Sequence, residues 1–480
     1  MQKRIKVCLV SPYSYPLFNP ECKGAFGGSE VRVSIIAKRL ALNPELDVSL
    51  IVFDHGQPEV ENIDGVTVYA WKERPGPVMG MDVSNQQQAG NIESELIIST
   101  SGNTSKTEFG VIGRLISPLI FRLYRGIKWR VLSLYHGRLV FWRSVKFLNL
   151  LYLLVRRPNE FARMYGIDSK LSEAYRSILE LDRIGNYSIY KRNLKIYEKV
   201  DADLYIIPGN SEITCEAAYF SKKKRKKSIL LAGSDMDYDP EYKAKPELYN
   251  RYGSPHSVLV YAIATVDVHS VQNERQAELL ADHYGRESTI IKNPIDLTPI
   301  DASVIPKGDI LWVGKSDTIK RPEIILEIVR RMPTVSFTLI MTRSNAEIHA
   351  SALAAGESLS NVRIIEYVPF KDIEPYFAAH RILINTSTIE GFPNTFLQSI
   401  KYGHPVVSLN VDPGAMLSAH GCGGICKGDF EKMVGQVNEL LQDNEAYSKT
   451  ALNCLKYIKE FHDQEMIIGR YVQLIRSITS

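Results

Sequence analysis

The chain has 480 residues, too many for one ordinary core, and a length prior of about 150 residues per domain gives two or three domains. Apolar residues make up 45% and charged residues 23%, which excludes a chain disordered over long stretches. A formal net charge of +4 does not by itself point to a nucleic-acid partner.

The N-terminus, MQKRIKVCLVSPYSYP, pairs charge with a short apolar run that Pro12 and Pro16 interrupt, and no small-residue cleavage site follows. It reads as a first strand, Ile5 to Val10, rather than a signal peptide. Gly24, Gly27 and Gly28 predict a loop. Glu30 to Leu42 then has helical spacing through Val33, Ile36, Ala37 and Leu40, and Val48 to Phe53 reads as a second strand. Strand, Gly-rich loop, helix and strand open a doubly wound domain. Residues 75 to 110 are polar and Gly-rich and read as irregular. The α/β rhythm resumes with strands at Leu204–Ile207 and Ile229–Leu231 around a helix near Ser211–Phe220. Strands at Val266–Val271 and Thr289–Lys292 flank a polar helix, Asn273–Tyr284. A turn-rich segment from Asn293 to about Lys307 marks a linker.

A second series follows. Strands are expected at Asp309–Val313, Ser336–Met341, Val362–Tyr367, Ile382–Asn385 and Val406–Leu409. The helix Pro322–Arg331 has Pro in its first turn. Two helices near 430–460 precede a last one through Arg470 to Ile478. No apolar run reaches the roughly 18 residues of a spanning helix. The six cysteines are scattered, and Cys422 and Cys426 lack a second pair, so neither a disulfide framework nor a zinc site is expected.

Three segments carry chemistry. Phe26-Gly27-Gly28-Ser29-Glu30 lies between a strand and a helix, where glycines admit a ligand and free N–H groups suit phosphate. A plain strand-to-helix turn has the same look. Gly314-Lys315-Ser316-Asp317-Thr318-Ile319-Lys320-Arg321-Pro322 puts cations at a strand's carboxyl end, where open α/β sheets bind ligands. Lys315 and Lys320 there suit a diphosphate, though a solvated basic loop is the commoner case. Asn385 to Gln398 opens another helix past a strand end. Glu390 offers a carboxylate to hydroxyls, Gly391 permits a sharp turn, N–H groups near Asn394 and Thr395 are open, and Gln398 follows one turn inside.

Together these segments resemble the retaining glycosyltransferases of family 4, the "glycosyl transferases group 1" superfamily with the GT-B fold. The resemblance covers most of the chain outside about 75–185. FGGSE is similar to that family's N-terminal glycine loop. VGKSDTIKRPE is similar to its diphosphate segment, with Lys315 where Arg is usual. IEGFPNTFLQSIKYGHPVVS is similar to its most specific signature, a Glu followed eight positions later by a second Glu; here Glu390 keeps the first place and Gln398 takes the second. The resemblance implies an α/β, GT-B architecture of two Rossmann-like domains facing each other across a cleft. Gly27, Gly28, Lys315 and Lys320 would hold the donor diphosphate. Glu390 and the backbone of Gly391, Phe392, Pro393, Asn394 and Thr395 would hold the donor sugar, and Gln398 the ribose. Relatives carry a His near the reaction centre in the first domain. The matching stretch here, Ser228 to Asp237, has none, and Asp235 is the candidate for a cleft residue, catalytic with Glu390, against the alternative of a helix cap. Asp235 and Asp237 look like a metal-binding pair, but the family implies no metal and no cofactor beyond the donor substrate.

Between Arg114 and Arg157 lie ten cations and no acidic residue. Leu115, Leu119, Leu123, Ile127 and Val131 recur at spacing near four, with Trp129, Tyr135, Trp142 and Tyr152 interspersed. This predicts a helical basic insertion, about 110–190, suited to an anionic membrane surface; an insertion packed on its own domain would also fit.

The expected organisation is an acceptor-side domain over 1–300, a nucleotide-sugar domain over 301–462, and a helix at 463–480 packing back on the first. The expected activity is metal-independent, retaining, hexosyltransferase-like transfer from a nucleotide diphosphate sugar to a glycan or lipid-linked hydroxyl, in cell-surface polysaccharide or glycolipid synthesis. The expected place is cytoplasmic, peripheral on the membrane face. Rival readings are a GT-B epimerase, a membrane-associated scaffold, and a Rossmann oxidoreductase, which the missing G-x-G-x-x-G disfavours.

Overall fold

The computed structural model describes residues 4–75, 193–298 and 307–480, except positions 23, 25, 247 and 251. The basic insertion, including Arg114 to Arg157, lies outside the described residues, as does most of the stretch read as irregular.

Two sheets organise the described chain. The first contains β1 (Ile5–Val10), β2 (Leu46–Asp54), β3 (Val60–Ile63), β4 (Val66–Pro75), β5 (Leu204–Pro208), β6 (Lys227–Leu231), β7 (Val268–Val271) and β8 (Thr289–Ile290), in the order β3-β4-β2-β1-β5-β6-β7-β8. All pairs are parallel except β3 with β4. Strands such as IKVCLV are nearly continuous apolar runs because helices cover both faces of a parallel sheet. The β3–β4 hairpin was not expected from the sequence. Its turn is Asp64-Gly65, both with positive φ (53° and 80°), the two-residue turn that matches strand twist.

Among the described residues, the helices of six residues or more in this half are α1 (Gly28–Leu40), α2 (Lys195–Val200), α3 (Glu212–Lys224), α4 (His256–Thr265) and α5 (Glu274–Tyr284). Helix α4, also unexpected, ends where the sequence suggested a strand from Val266; the strand starts only at Val268.

The second sheet contains β9 (Gly308–Lys315), β10 (Phe337–Thr342), β11 (Val362–Ile365), β12 (His380–Asn385), β13 (Val406–Ser408) and β14 (Gly423–Ile425), all parallel, in the order β11-β10-β9-β12-β13-β14. Its helices are α6 (Pro322–Arg331), α7 (Ala346–Glu357), α8 (Phe370–Ala379), α9 (Asn394–Ile400), α10 (Phe430–Gln442) and α11 (Asn444–Phe461). Its two faces are filled by separate cores, one around Trp312, Ile325 and Val407 and one around Phe377, Phe396 and Tyr457.

Both sheets belong to one compact unit, Met1–Gly90 with Ile196–Ser480. The chain crosses between the halves near Ile295 and returns near Asp463, and the crossings touch: Ile295 N–H donates to the His462 carbonyl (2.9 Å) and Gln464 N–H to that of Ile295 (3.2 Å). The last helix, α12 (Gln464–Thr479), buries Ile467, Tyr471 and Ile475 in the core of the first sheet.

In each sheet the strand order reverses at the first strand of its series, between β1 and β5 and between β9 and β12. Open sheets bind ligands outside the carboxyl ends of strands at such a point.

Candidate functional site

A cleft of about 680 Å³ lies where the loops after these strands meet. One wall comes from the first sheet: Phe26 to Arg32 after β1, Pro208 to Ser211 after β5, and Ala232 to Ser234 with Met236 and Asp237 after β6. The other comes from the second: Val313 to Lys315, Asp317, Ile319 and Lys320 after β9, and Ile389 to Thr395 with Gln398 after β12.

The glycine loop starts α1. Gly27 is extended, and its N–H donates to the Glu30 carboxylate (2.8 Å), so Glu30 caps its own helix. Gly28 touches the opposite wall: its carbonyl accepts from Asn394 Nδ2 (2.8 Å).

The two loops of the second wall are tied together before any ligand is considered. Asp317 Oδ1 accepts from the N–H groups of Ile319 (3.0 Å) and Lys320 (2.8 Å), which sets the cationic turn. Thr386, fully buried, joins that turn to the loop after β12. Its hydroxyl accepts from Trp312 Nε1 (3.0 Å) and donates to the Lys320 carbonyl (2.5 Å). Arg321 Nε donates to the Thr386 carbonyl (2.9 Å), and Thr388 N–H to that of Ile319 (2.9 Å). Arg321 therefore has an architectural task, at a left-handed φ of 52° just before the Pro of α6.

Lys320 and Glu390 meet in an ion pair, and Ser387 Oγ also donates to Glu390 (2.7 Å). An ammonium has three donors, so Lys320 can hold Glu390 and still face an anion. Lys315 is exposed at the end of β9, with no ion pair among the described residues. Gln398 lines the cleft from α9 at 8% exposure.

Gly391 earns its place differently from the sequence expectation. Its φ lies outside the left-handed region, so no sharp turn demands glycine. A Cβ there would lie 2.0 Å from the Gly233 carbonyl oxygen, on the opposite wall. Phe392 is buried against the His462 ring (4.9 Å between centroids). The Asn394 side chain spans the walls, donating to Gly28 and accepting from Asn293 Nδ2 (3.2 Å). Pro393 and Thr395 line the cleft at the start of α9.

Asp235 is absent from the lining, whereas Asp237 belongs to it. Burial raises the Asp235 carboxyl above the usual carboxylate range, and Gln276 bonds it. Asp237 is a clasp. It accepts from the N–H groups of Gly233 (2.6 Å), Ser234 (3.0 Å) and Asn210 (2.8 Å), holding two cleft loops together. The resemblance puts Asp235 in the cleft; of the two aspartates it is Asp237 that lines it.

Among the residues that shape the site, Asn293 and Arg32 are ones the sequence does not mark. Asn293, at the start of the turn-rich segment, bonds Gln272, Phe392, Asn394 and His462 across both halves. Arg32 is 3% exposed and donates to the Ala232 carbonyl (2.8 Å), the Ile291 carbonyl (3.3 Å) and the Tyr471 hydroxyl (2.8 Å). It fixes the cleft floor to the crossing and to α12. No local pattern signals either, because their partners are distant in sequence.

Residues 307–443 match the family model described as Glycosyl transferases group 1. That stretch carries Lys315, Lys320, Glu390 and Gln398. The described fold is similar to the sucrose-phosphate synthase of Thermosynechococcus elongatus, with a TM-score of 0.61 at 13% identity over 99% of this chain and 99% of that one. It is also similar to an α,α-trehalose-phosphate synthase (UDP-forming) from Burkholderia vietnamiensis, with a TM-score of 0.56 at 11% identity over 99% of each chain. The fold is α/β with parallel sheets, of the GT-B kind.

Proposed function

We propose that this chain is a nucleotide-sugar-dependent glycosyltransferase. It moves a glycosyl unit from a nucleoside diphosphate sugar to a hydroxyl of a glycan or lipid-linked acceptor, with retention at the anomeric carbon. The observation that carries this reading is the convergence on one lining of Lys315 and Lys320 from one loop with Glu390, the start of α9 and Gln398 from another. The family match over that same stretch supports it.

The chemical burden is the leaving group. As the glycosidic bond breaks, negative charge grows on the diphosphate. Lys315, Lys320 and the N–H groups at the start of α9 supply positive potential there, which lowers the barrier to the extent that they bind the departing charge better than the intact donor. These groups do the work that a divalent cation does elsewhere, so transfer is proposed to need none. Glu390, held by Lys320 and Ser387, accepts from donor-sugar hydroxyls. Gln398 offers an amide oxygen and N–H to the ribose without the charge of a Glu. Gly27 and Gly28 approach the donor from the first half. The walls exclude water, which favours transfer over hydrolysis.

The basic stretch Arg114–Arg157 is proposed to hold the chain to an anionic membrane surface on the cytoplasmic side, each cation adding about 1 kcal/mol near such a surface. Among the described residues no helix is long and apolar enough to cross a membrane.

The test is a binding and turnover screen over common nucleotide sugars. The expected outcome is saturable binding of at least one, slow nucleotide release alone, and faster release with acceptor. Binding to none removes the reading; interconversion of free sugar nucleotides with no acceptor requirement replaces it with epimerisation. Vesicle co-sedimentation checks the membrane: anionic vesicles should bind and release with salt, and equal binding to neutral vesicles would refute it.

A further inference from the structure

The loop that carries Leu248, Tyr249 and Tyr252 displays aromatic surface at the cleft. Three large apolar side chains are exposed within five residues: Leu248 (43%), Tyr249 (65%) and Tyr252 (74%). Tyr252, the most exposed large apolar side chain of the described residues, also lines the cleft. Three exposed apolar side chains this close together, one of them in the cleft, form a patch of the kind that marks a contact surface.

The display is built. Asn250 Oδ1 accepts from the N–H groups of Tyr252 (3.0 Å) and Ser254 (3.0 Å), and Asn250 N–H donates to the Ser254 carbonyl (2.9 Å). Tyr249 bridges Pro255, His256 N–H donates to the Leu248 carbonyl (2.8 Å), and Gly253 turns the chain at φ 79°. Each of these bonds fixes the loop that carries the ring.

We infer that Tyr252 is a platform for an uncharged sugar ring of the acceptor. This rests on the glycosyl-transfer reading and adds the chemistry of the second substrate. A pyranose has an apolar face of C–H groups and a rim of hydroxyls. An exposed aromatic face suits the first. Ser211, Asn250 and Ser254 also line the cleft and suit the second. A lipid tail would desolvate the Asn250 amide and the Ser254 hydroxyl without offering either a partner. On the other wall Ile389, 40% exposed, adds another apolar side chain to the lining.

Saturation-transfer NMR on the full chain tests this without requiring turnover. The probes are neutral trisaccharides of glucose, galactose and N-acetylglucosamine, with a prenyl alcohol as the apolar probe. At least one trisaccharide should bind. Tyr252→Ala should weaken it about tenfold, and Tyr252→Phe should hold it within about twofold, because the face rather than the hydroxyl makes the contact. Tyr249→Ala, outside the lining, should change nothing. Binding of no trisaccharide, or equal binding to wild type and Tyr252→Ala, overturns the inference. So does prenyl alcohol binding that alone depends on Tyr252. Donor binding is measured on the same samples. Its absence in the wild type sinks the glycosyltransferase reading and leaves the trisaccharide result standing.

Discussion

Lys320 is fixed at its backbone and at its side chain. Asp317 fixes its backbone N–H, Thr386 its carbonyl, and Glu390 its ammonium. Such positioning lets a cation meet developing charge without reorganising. Lys320→Ala should leave the fold intact and reduce transfer by about 10²- to 10³-fold, the cost of one lost transition-state donor. Glu390→Gln tests the same pair from the other side. It keeps the shape but removes the charge that holds Lys320, so transfer should fall by at least tenfold. Single-turnover kinetics on folded variants decide both, and wild-type turnover in Lys320→Ala would take that residue out of the site.

At the level of elements, the loops after β9 and β12 behave as one piece, with Thr386 as the joint. Thr386→Val keeps the volume but leaves Trp312 Nε1–H buried without its acceptor. The expected loss is about 1–3 kcal/mol. For a domain of 150–250 residues that is a fall of about 2–4 °C in Tm per kcal/mol. Donor affinity should fall with it, because the turn carrying Lys320 loses a tie. Thr386→Ser, which retains the hydroxyl, should be near neutral in thermal melts and donor titrations. An unchanged melt for Thr386→Val would mean that the joint is dispensable.

Elements also show what a sequence can and cannot reveal. Parallel strands such as Ile5–Val10 and His380–Asn385 were legible because burial on both faces demands apolar runs. The site loops were legible because ligand-binding loops follow such strands. Helix α4, HSVLVYAIAT, was not. It is apolar and rich in β-branched residues, so no amphipathic stripe separates it from a strand. The Asp64-Gly65 turn did carry a signal, since that dipeptide between alternating residues is a strong short-range hairpin mark. The clasp made by Asp237 and the reach of Arg32 and Asn293 carry none, for they depend on loops meeting across the fold.

For the whole molecule, the crossings and the cleft are where the two halves act on each other. His462 sits at the return crossing, fully buried, with Nδ1 bonded to the Asn293 carbonyl (2.8 Å). The rings of Phe392 and Tyr457 and the Lys292 ammonium face it. Burial depresses its folded value from 6.5 to about 3. Between those values the unfolded chain binds the extra proton, so stability from keeping this ring neutral is full above 6.5 and is lost as pH falls toward 3. His462→Asn keeps a donor toward Asn293 and removes the titration. Its melting temperature should fall less steeply between pH 6.5 and 4 than that of the wild type, whatever its absolute value. An equal slope would assign acid sensitivity to other groups, such as His269, depressed to about 4.

The contact between the walls rests in part on a smaller feature. Gly391 meets the Gly233 backbone so closely that a methyl at 391 would lie 2.0 Å from the Gly233 carbonyl oxygen and 2.9 Å from Ser234 Cα. The obstacle on both counts is backbone, which cannot rotate aside as a flexible side chain can. Nor does the backbone at 391 need glycine for its own conformation. Gly391→Ala therefore acts mainly as a wedge between the walls rather than as a source of local strain. It should leave each half folded and the thermal melt within a few degrees, yet hold the walls apart. The Asn394 bond to the Gly28 carbonyl and the edge contact of Phe26 with Phe370 (5.8 Å) would loosen with it. With water less excluded, the share of donor lost to hydrolysis should rise while transfer falls by at least tenfold, since small misplacements of reacting groups are costly. Small-angle scattering with saturating donor gives the structural readout, and the variant should scatter as the more extended particle. Identical profiles together with an unchanged ratio of transfer to hydrolysis would show that the walls need not close at Gly391 for the reaction to proceed.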